Sequence, residues 1–254
     1  MRVLATVKRV PITGGRIVLT DDARAIDTRH LGFTMSPHEE CGVEEAVRII
    51  EVNKGDSVVL TLGPAEAVEQ LRDAMALGID RAIHLQTDGQ EWDGEGTAAA
   101  ITEAIRGDEA ASGPFDIIFF GNESADSGGF QVGIRVAYAL GRPCVTGLKK
   151  VTVEGANVRC EQEVEGGRDV YVVPLPAVLT VKEGLNLPRY PSVPGKMRAR
   201  SKPVAVSTPT RPAPRLELVK LAVPAGQGRR AESLGSGAAA AAAVVDVLQK
   251  SGVL

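Results

Sequence analysis

The chain has 254 residues, 44% hydrophobic and 24% charged, and its 29 basic and 32 acidic side chains leave a net charge of −3. That balance suits a globular domain, offers no overall positive field for nucleic acid, and with aromatic residues at only 4% provides few rings for base stacking. Three scattered cysteines (Cys41, Cys144, Cys160) make neither a disulfide framework nor a metal-ligand spacing, and the longest apolar run, Ala238 to Val245, is far below the ~20 residues of a membrane span.

The N-terminus runs straight into strand-like sequence without a charged-then-apolar leader, so a reducing, cytoplasmic setting is expected, with no membrane insertion. Residues 2–7 read as a buried first strand. Pro11 and Gly14-Gly15 break it, and a short hairpin is expected from Arg16–Leu19 back through Ala25-Ile26. Ser36-Pro37, followed by Glu39 and Glu40, is a helix-start signature. The stripe Val43, Ala46, Val47, Ile50 carries that helix to about Asn53–Gly55, with Glu44-Glu45 read as its solvated face.

Strands follow at 57–62 and 81–85, separated by a helix with Val68, Leu71 and Met75 inward and Gly78 past its end. His84, inside the latter strand, reads as structural. A helix at 97–105 and a strand at 116–120 come next. The glycine-rich turn Gly121 to Gly129 then opens a helix striped by Val132, Val136 and Leu140. This alternation implies βαβ crossovers, hence an α/β fold with a mainly parallel, doubly wound sheet. After Pro143 the alternating segments 148–153, 157–164 and 168–173 predict an antiparallel hairpin insertion, and 176–181 a last core strand.

From Gly184 onward prolines argue for an extended arm without a persistent helix, closed by a helix from Gly237 through Leu248. About 50 residues exceed an ordinary loop. Leu216, Leu218, Val219, Leu221 and Val223 need burial, which a segment wrapped around a partner subunit would provide.

No Gly-x-Gly-x-x-Gly, Walker loop, Gly-x-Ser-x-Gly or His-Glu-x-x-His occurs, and the three histidines stand apart. The strongest local signal is the turn from Gly121 through Asp126, Ser127, Gly128, Gly129, Phe130 and Gln131 into Val132-Gly133. Unpaired N–H groups and the positive dipole end of a helix favour phosphate there, and Gly128, Gly129 and Gly133 would let backbone approach an anion. Asp126 is placed to cap the helix or to accept from a ligand hydroxyl. An ordinary βα turn, with glycines serving only tight packing, explains the same residues. The segment Leu185–Pro194, stiffened by three prolines, reads either as a docking loop or as a crossover packed on its own domain.

Over about residues 1–206 the chain resembles the β subunit of electron transfer flavoprotein. The resemblance rests on blocks in family order: Arg2-Val3-Leu4 through Val7-Lys8-Arg9-Val10; Met35-Ser36-Pro37, Glu40 and Val43–Val47; Gly63-Pro64-Ala65; Leu71-Arg72 and Ala74–Gly78. Asp126, Gln131 and Gly133 follow, then Leu179-Thr180, Leu185-Asn186, Pro188-Arg189-Tyr190, Pro194 and Met197. It implies an adenine-nucleotide alpha-hydrolase-like α/β fold in residues 1–206 and a C-terminal arm and helix, 207–254, wrapping an α subunit.

It also implies a heterodimer with FAD mainly in the α subunit and AMP in this one, or a second FAD in bifurcating members. Carried over by position, the nucleotide site comprises Thr6, Ser36, Pro37, His38, Glu39, Leu62, Asp126, Ser127, Gly128, Gly129, Phe130, Gln131, Val132, Gly133, Ile134, Arg135, Val136 and Ala137. Partner recognition falls on Gly184, Leu185, Asn186, Leu187, Pro188, Arg189, Tyr190, Pro191 and Ser192, with Leu185 as anchor. The implied role is an electron carrier without catalytic residues, serving flavin dehydrogenases of the acyl-CoA dehydrogenase type in fatty acid β-oxidation and a quinone-linked oxidoreductase. A stand-alone nucleotide sensor and an adenylating enzyme are the rivals. Ser36 where the family often has Asn, Ser127-Gly128-Gly129 where animal-type members have an acidic run, and Thr13 where some members place an aromatic against flavin are the departures.

Overall fold

A computed structural model describes residues 1–14, 17–224 and 232–254. Arg16, the start of the expected hairpin, lies outside the described residues, but the hairpin closes as an antiparallel bridge between Leu19 and Ile26. The first part of the chain forms β1 (Arg2–Thr6), β2 (Val10–Pro11), β3 (Phe33–Thr34), α1 (Pro37–Asn53), β4 (Asp56–Gly63), α2 (Val68–Leu77), β5 (Arg81–Gln86), α3 (Gly94–Ser112), β6 (Ile117–Gly121) and α4 (Val132–Leu140). The second part forms β7 (Cys144–Glu154), β8 (Asn157–Val164), β9 (Gly167–Pro174), β10 (Ala177–Val181), α5 (Val193–Ser201), β11 (Val204–Ser207) and α6 (Ala241–Lys250).

Nine strands make one sheet in the order β11-β5-β4-β1-β6-β10-β7-β8-β9, parallel from β11 to β7 and antiparallel beyond. Chain order runs one way from β1 through β4 to β5 and then reverses to β6, so a switch point opens between β1 and β6.

The parallel strands are apolar on both faces because helices cover both. Val3, Ala5, Ile117 and Phe119 face one core together with Val43, Ala46, Leu71 and Met75 of α1 and α2. Leu4, Val58, Leu60, Ile118 and Phe120 face the other, against Ile101, Ile105 and Val136 of α3 and α4. Removing a side chain such as the fully buried Phe119 down to alanine would cost about 3–5 kcal/mol.

Residues after Gly184 depart from the expected uninterrupted arm. Ser192 caps α5, its hydroxyl accepting from Gly195 N–H, and Pro194 sits in the first turn, where proline is compatible with a helix. Arg72 of α2 donates to the carbonyls of Ala199 and Lys202, and Lys202 Nζ to those of Met75 and Ile79, so α5 docks on α2. β11 then adds a parallel edge to β5, Val204 to Ser207 beside Ala82 to Leu85. Beyond β11 the segment runs without strand or helix through residue 224. It is tied to the body by Arg211 to Gln90 (2.6 Å), Arg215 to Glu95 (3.1 Å) and Leu221 N–H to Ala23 O (2.7 Å). Leu216 and Val219 remain 77% and 73% exposed, and no residue of α6 is buried.

Candidate functional site

The switch point carries a cleft of about 390 Å3, lined by Ser36, Pro37, His38, Glu123, Ser124, Ala125, Asp126, Ser127 and Gly128. One wall is the N-terminus of α1. Ser36 has the extended backbone of an N-cap, Pro37 follows at N1, and the Glu39 carboxyl oxygen accepts from Ser36 N–H at 3.2 Å, one half of a capping box. In the other half the Glu39 N–H is placed toward Ser36 Oγ as in a capping box but falls outside hydrogen-bond geometry, so the fully buried hydroxyl is left without a formed bond. A buried hydroxyl left unpaired costs about 1–3 kcal/mol, so this atom marks a place where a ligand acceptor or donor is welcome.

The opposite wall is the turn after β6. Gly128 adopts φ +55°, a left-handed conformation natural for glycine, and its N–H donates to Ser124 O at 3.1 Å. Ser124 and Ser127 share a hydroxyl hydrogen bond of 2.9 Å. Asp126 does not cap α4. It accepts from Ser127 N–H (2.7 Å) and pairs with Lys8 Nζ at 2.7 Å, an ammonium shared with Glu91 at 2.7 Å. Burial pushes the Asp126 carboxyl up, but the Lys8 charge outweighs it and holds the group below its ordinary range. Lys8 lies two residues past β1 and reaches the site through Asp126; it stands in a block of the family resemblance but not among the expected site residues.

Glu39 sits beneath the cleft. Burial pushes its carboxyl up to about 8, against the lowering effect of the Lys8 and Ser36 N–H groups. Near neutral pH it is therefore mostly protonated, and the α1 terminus keeps its positive character for an anionic ligand. Gly121 makes the room for it: a Cβ there would stand 2.7 Å from Glu39 Cγ. His38 fixes the rim, its Nδ1 accepting from Glu183 N–H at 2.7 Å and its Nε2 lying 3.4 Å from Glu123.

The structure thus brings Ser36, Pro37, His38, Asp126, Ser127 and Gly128 together, with Glu39 behind them. Thr6 turns its hydroxyl to Phe119 O at 3.1 Å, and Leu62 packs against the α3–α4 core. Gly129 is off the lining, Phe130 is exposed at φ +54°, and the Gln131 side chain receives Arg135 Nε at 2.8 Å. On α4 itself, Val132, Val136 and Ala137 face the core, and Ile134 and Arg135 are exposed. Gly133 serves close packing, since a Cβ would meet Thr180 at 3.0 Å and Phe120 at 3.1 Å. Glu123, Ser124 and Ala125 were not chosen from sequence, although the turn holding them was the strongest signal in it. His84 is structural as read, its Nε2 lying 3.2 Å and 3.0 Å from the carbonyls of Gly63 and Pro64.

The reading of Glu44-Glu45 as a solvated face is corrected. Glu44 is 1% exposed and receives Arg189 Nε at 2.9 Å and Arg48 Nε at 2.6 Å, while Glu45 receives Asn186 Nδ2 at 2.8 Å. Segment 184–192 closes over the helix from far along the chain. Leu185 is half-buried against the α1 core, whereas Leu187 and Tyr190 are 85% and 96% exposed.

A cleft with a polar rim results. Among the described residues no group of His, Cys, Asp and Glu is arranged to hold a metal, and no helix is long and apolar enough to cross a membrane.

The electron transfer flavoprotein domain model matches residues 24–212. The chain is 33% identical over 206 residues to the electron transfer flavoprotein subunit beta of Bacillus subtilis (strain 168), covering 80% of this chain and 77% of the relative. It is 35% identical over 212 residues to that of Mycobacterium tuberculosis (strain ATCC 25618 / H37Rv), covering 81% and 78%. Over 211 residues it is 35% identical to the mitochondrial subunit beta of Arabidopsis thaliana, covering 82% of each. A domain match across most of the chain, on a parallel sheet whose switch point carries the cleft, leaves one conclusion: the chain belongs to the electron transfer flavoprotein family.

Proposed function

We propose that the chain is the β half of a cytoplasmic electron-transferring heterodimer. Its α-type partner holds most of one FAD, and the cleft at the switch point holds AMP. The observation that carries the nucleotide assignment is the cleft between the N-terminus of α1, where Ser36 Oγ is buried and unpartnered, and a turn of serine hydroxyls and glycine backbone. In this reading the phosphate sits at the α1 terminus and not at the α4 terminus that the sequence favoured, since Gly129 to Gly133 lie off the cleft, and Asp126 accepts from a hydroxyl of the nucleotide. Glu39, kept protonated by burial, adds no repulsion.

FAD supplies the redox chemistry when bound, accepting electrons from flavin dehydrogenases of the acyl-CoA dehydrogenase type and passing them to a quinone-linked oxidoreductase. This chain's residues position and shield; none of them makes or breaks a bond. Residues 1–206 form the nucleotide-binding body, and 207–254 wrap the partner. The exposed Leu216, Leu218, Val219 and Val223 favour this over a stand-alone sensor, which has no use for an uncovered apolar arm.

Expression of the chain alone and together with the α-type subunit tests the reading. Stable yellow flavin is expected only in the pair, and the pair should then be reduced by an acyl-CoA dehydrogenase supplied with its acyl-CoA. A colourless pair, or a flavin-loaded single chain, contradicts it.

A further inference from the structure

The loop at 184–192 is held to α1 by a set of side-chain contacts. The Glu44 carboxylate, 1% exposed, accepts from Arg189 through Nε (2.9 Å), Nη2 (3.1 Å) and backbone N–H (3.2 Å). Arg189 also grips Glu51 through Nη1 (2.6 Å) and Nη2 (3.0 Å), so its guanidinium is fixed between two carboxylates about two turns apart on the helix. Arg48 donates to Glu44 at 2.6 Å and to Leu187 O at 3.3 Å. Asn186 Nδ2 donates to Cys41 O at 3.1 Å and Glu45 Oε2 at 2.8 Å.

Three positions of the loop, Leu185, Asn186 and Arg189, are therefore tied down, and Leu187 and Tyr190 between and beyond them stand 85% and 96% exposed. Two large apolar side chains held out from an immobilised backbone lose little entropy on docking. A buried carboxylate with two arginines is poor value as mere stability, because desolvation offsets most of its attraction; fixing one geometry is the better-attested use.

We propose that Glu44 is a positioning residue for electron uptake: through Arg189 it presets the 184–192 loop so that Leu187 and Tyr190, and not the half-buried Leu185, meet the donor dehydrogenase. This rests on the carrier reading above. Burial raises the Glu44 carboxyl, but Arg189 and Arg48 outweigh it and keep the group ionised, as the clamp requires.

The test uses the complete FAD-loaded heterodimer. In Glu44→Gln, hydrogen exchange over residues 184–191 should speed up, and KM for a reduced acyl-CoA dehydrogenase should rise about tenfold with kcat and flavin content retained. The double variant Glu44→Gln/Arg189→Gln should be no worse than either single change, because both remove one interaction. Leu187→Ala/Tyr190→Ala, which leaves the clamp intact, should raise KM while exchange in the loop stays slow. Unchanged exchange in Glu44→Gln removes the clamp. Faster exchange with unchanged KM removes its docking role, and so does a fall in melting temperature as the only effect. A wild-type pair that takes no electrons from any flavin dehydrogenase overturns the docking role together with the carrier reading, whereas a wild-type pair that does so separates the two.

Discussion

Glu39 and Ser36, three residues apart, make opposite demands on the cleft. Glu39 has a folded-state pKa of about 8 against 4.5 in an unfolded chain, so the folded form binds the extra proton between those values. Its contribution to stability is fully present below about pH 4.5 and is lost as pH rises through 8, with about 5 kcal/mol as an upper limit at ~1.4 kcal/mol per unit. Glu39→Gln cannot ionise, so its urea midpoint should gain on wild type between pH 6 and pH 9; parallel pH profiles would refute the burial argument. Ser36→Ala should leave the ligand-free fold nearly unchanged or slightly firmer, because the hydroxyl makes no bond to lose. Nucleotide retained by the purified heterodimer, measured by chromatography after denaturation, should fall about tenfold or more for the loss of a buried hydrogen bond. Full retention would move the ligand away from the α1 terminus. Ser36 was legible in the sequence because a cap, a proline and two acids signal a helix start locally. The burial of Glu44 was not, because its partner Arg189 lies 145 positions on and only the folded chain brings them together.

Elements fixed by local pattern were readable, and those fixed by distant contacts were not. The parallel strands announce themselves as short apolar runs, and the insertion as alternation around Gly155 and Gly166, both at positive φ in the folded chain. α5 carries a similar serine-then-proline start, with Ser192 and Pro194, but it has no clear apolar stripe and its neighbours are prolines. What holds it is α2: a Cβ on Gly195 would come within 2.5 Å of Ala76 O. Gly195→Ala should therefore destabilise the fold by about 1–3 kcal/mol despite alanine's better helix propensity, as read from the urea midpoint. A neutral or stabilising result would mean that α5 is not seated on α2. β11, only four residues long, exists because β5 offers an unpaired edge and could not be read from its own sequence.

At the scale of the molecule, the body is a complete two-faced sheet, and the remainder is not self-sufficient. Both cores are closed by helices, whereas Leu216, Val219, Val223, Val253 and Leu254 are 62–77% exposed. A partner covering them would stabilise the fold by mass action, so the pair should melt higher than the single chain in a concentration-dependent way. Deleting residues 207–254 should abolish pairing and leave the body folded; size-exclusion chromatography of the co-expressed proteins reads this, and an intact pair would refute the wrapping role. The central claim is that the cleft between Ser36 and Asp126 holds an adenylate inside a flavin-bearing pair. Cofactor analysis of the co-purified heterodimer tests it most directly. One FAD and one AMP per pair, with AMP lost in Ser36→Ala and FAD kept, is the expected result; a pair that carries FAD with no adenylate in this subunit would contradict it.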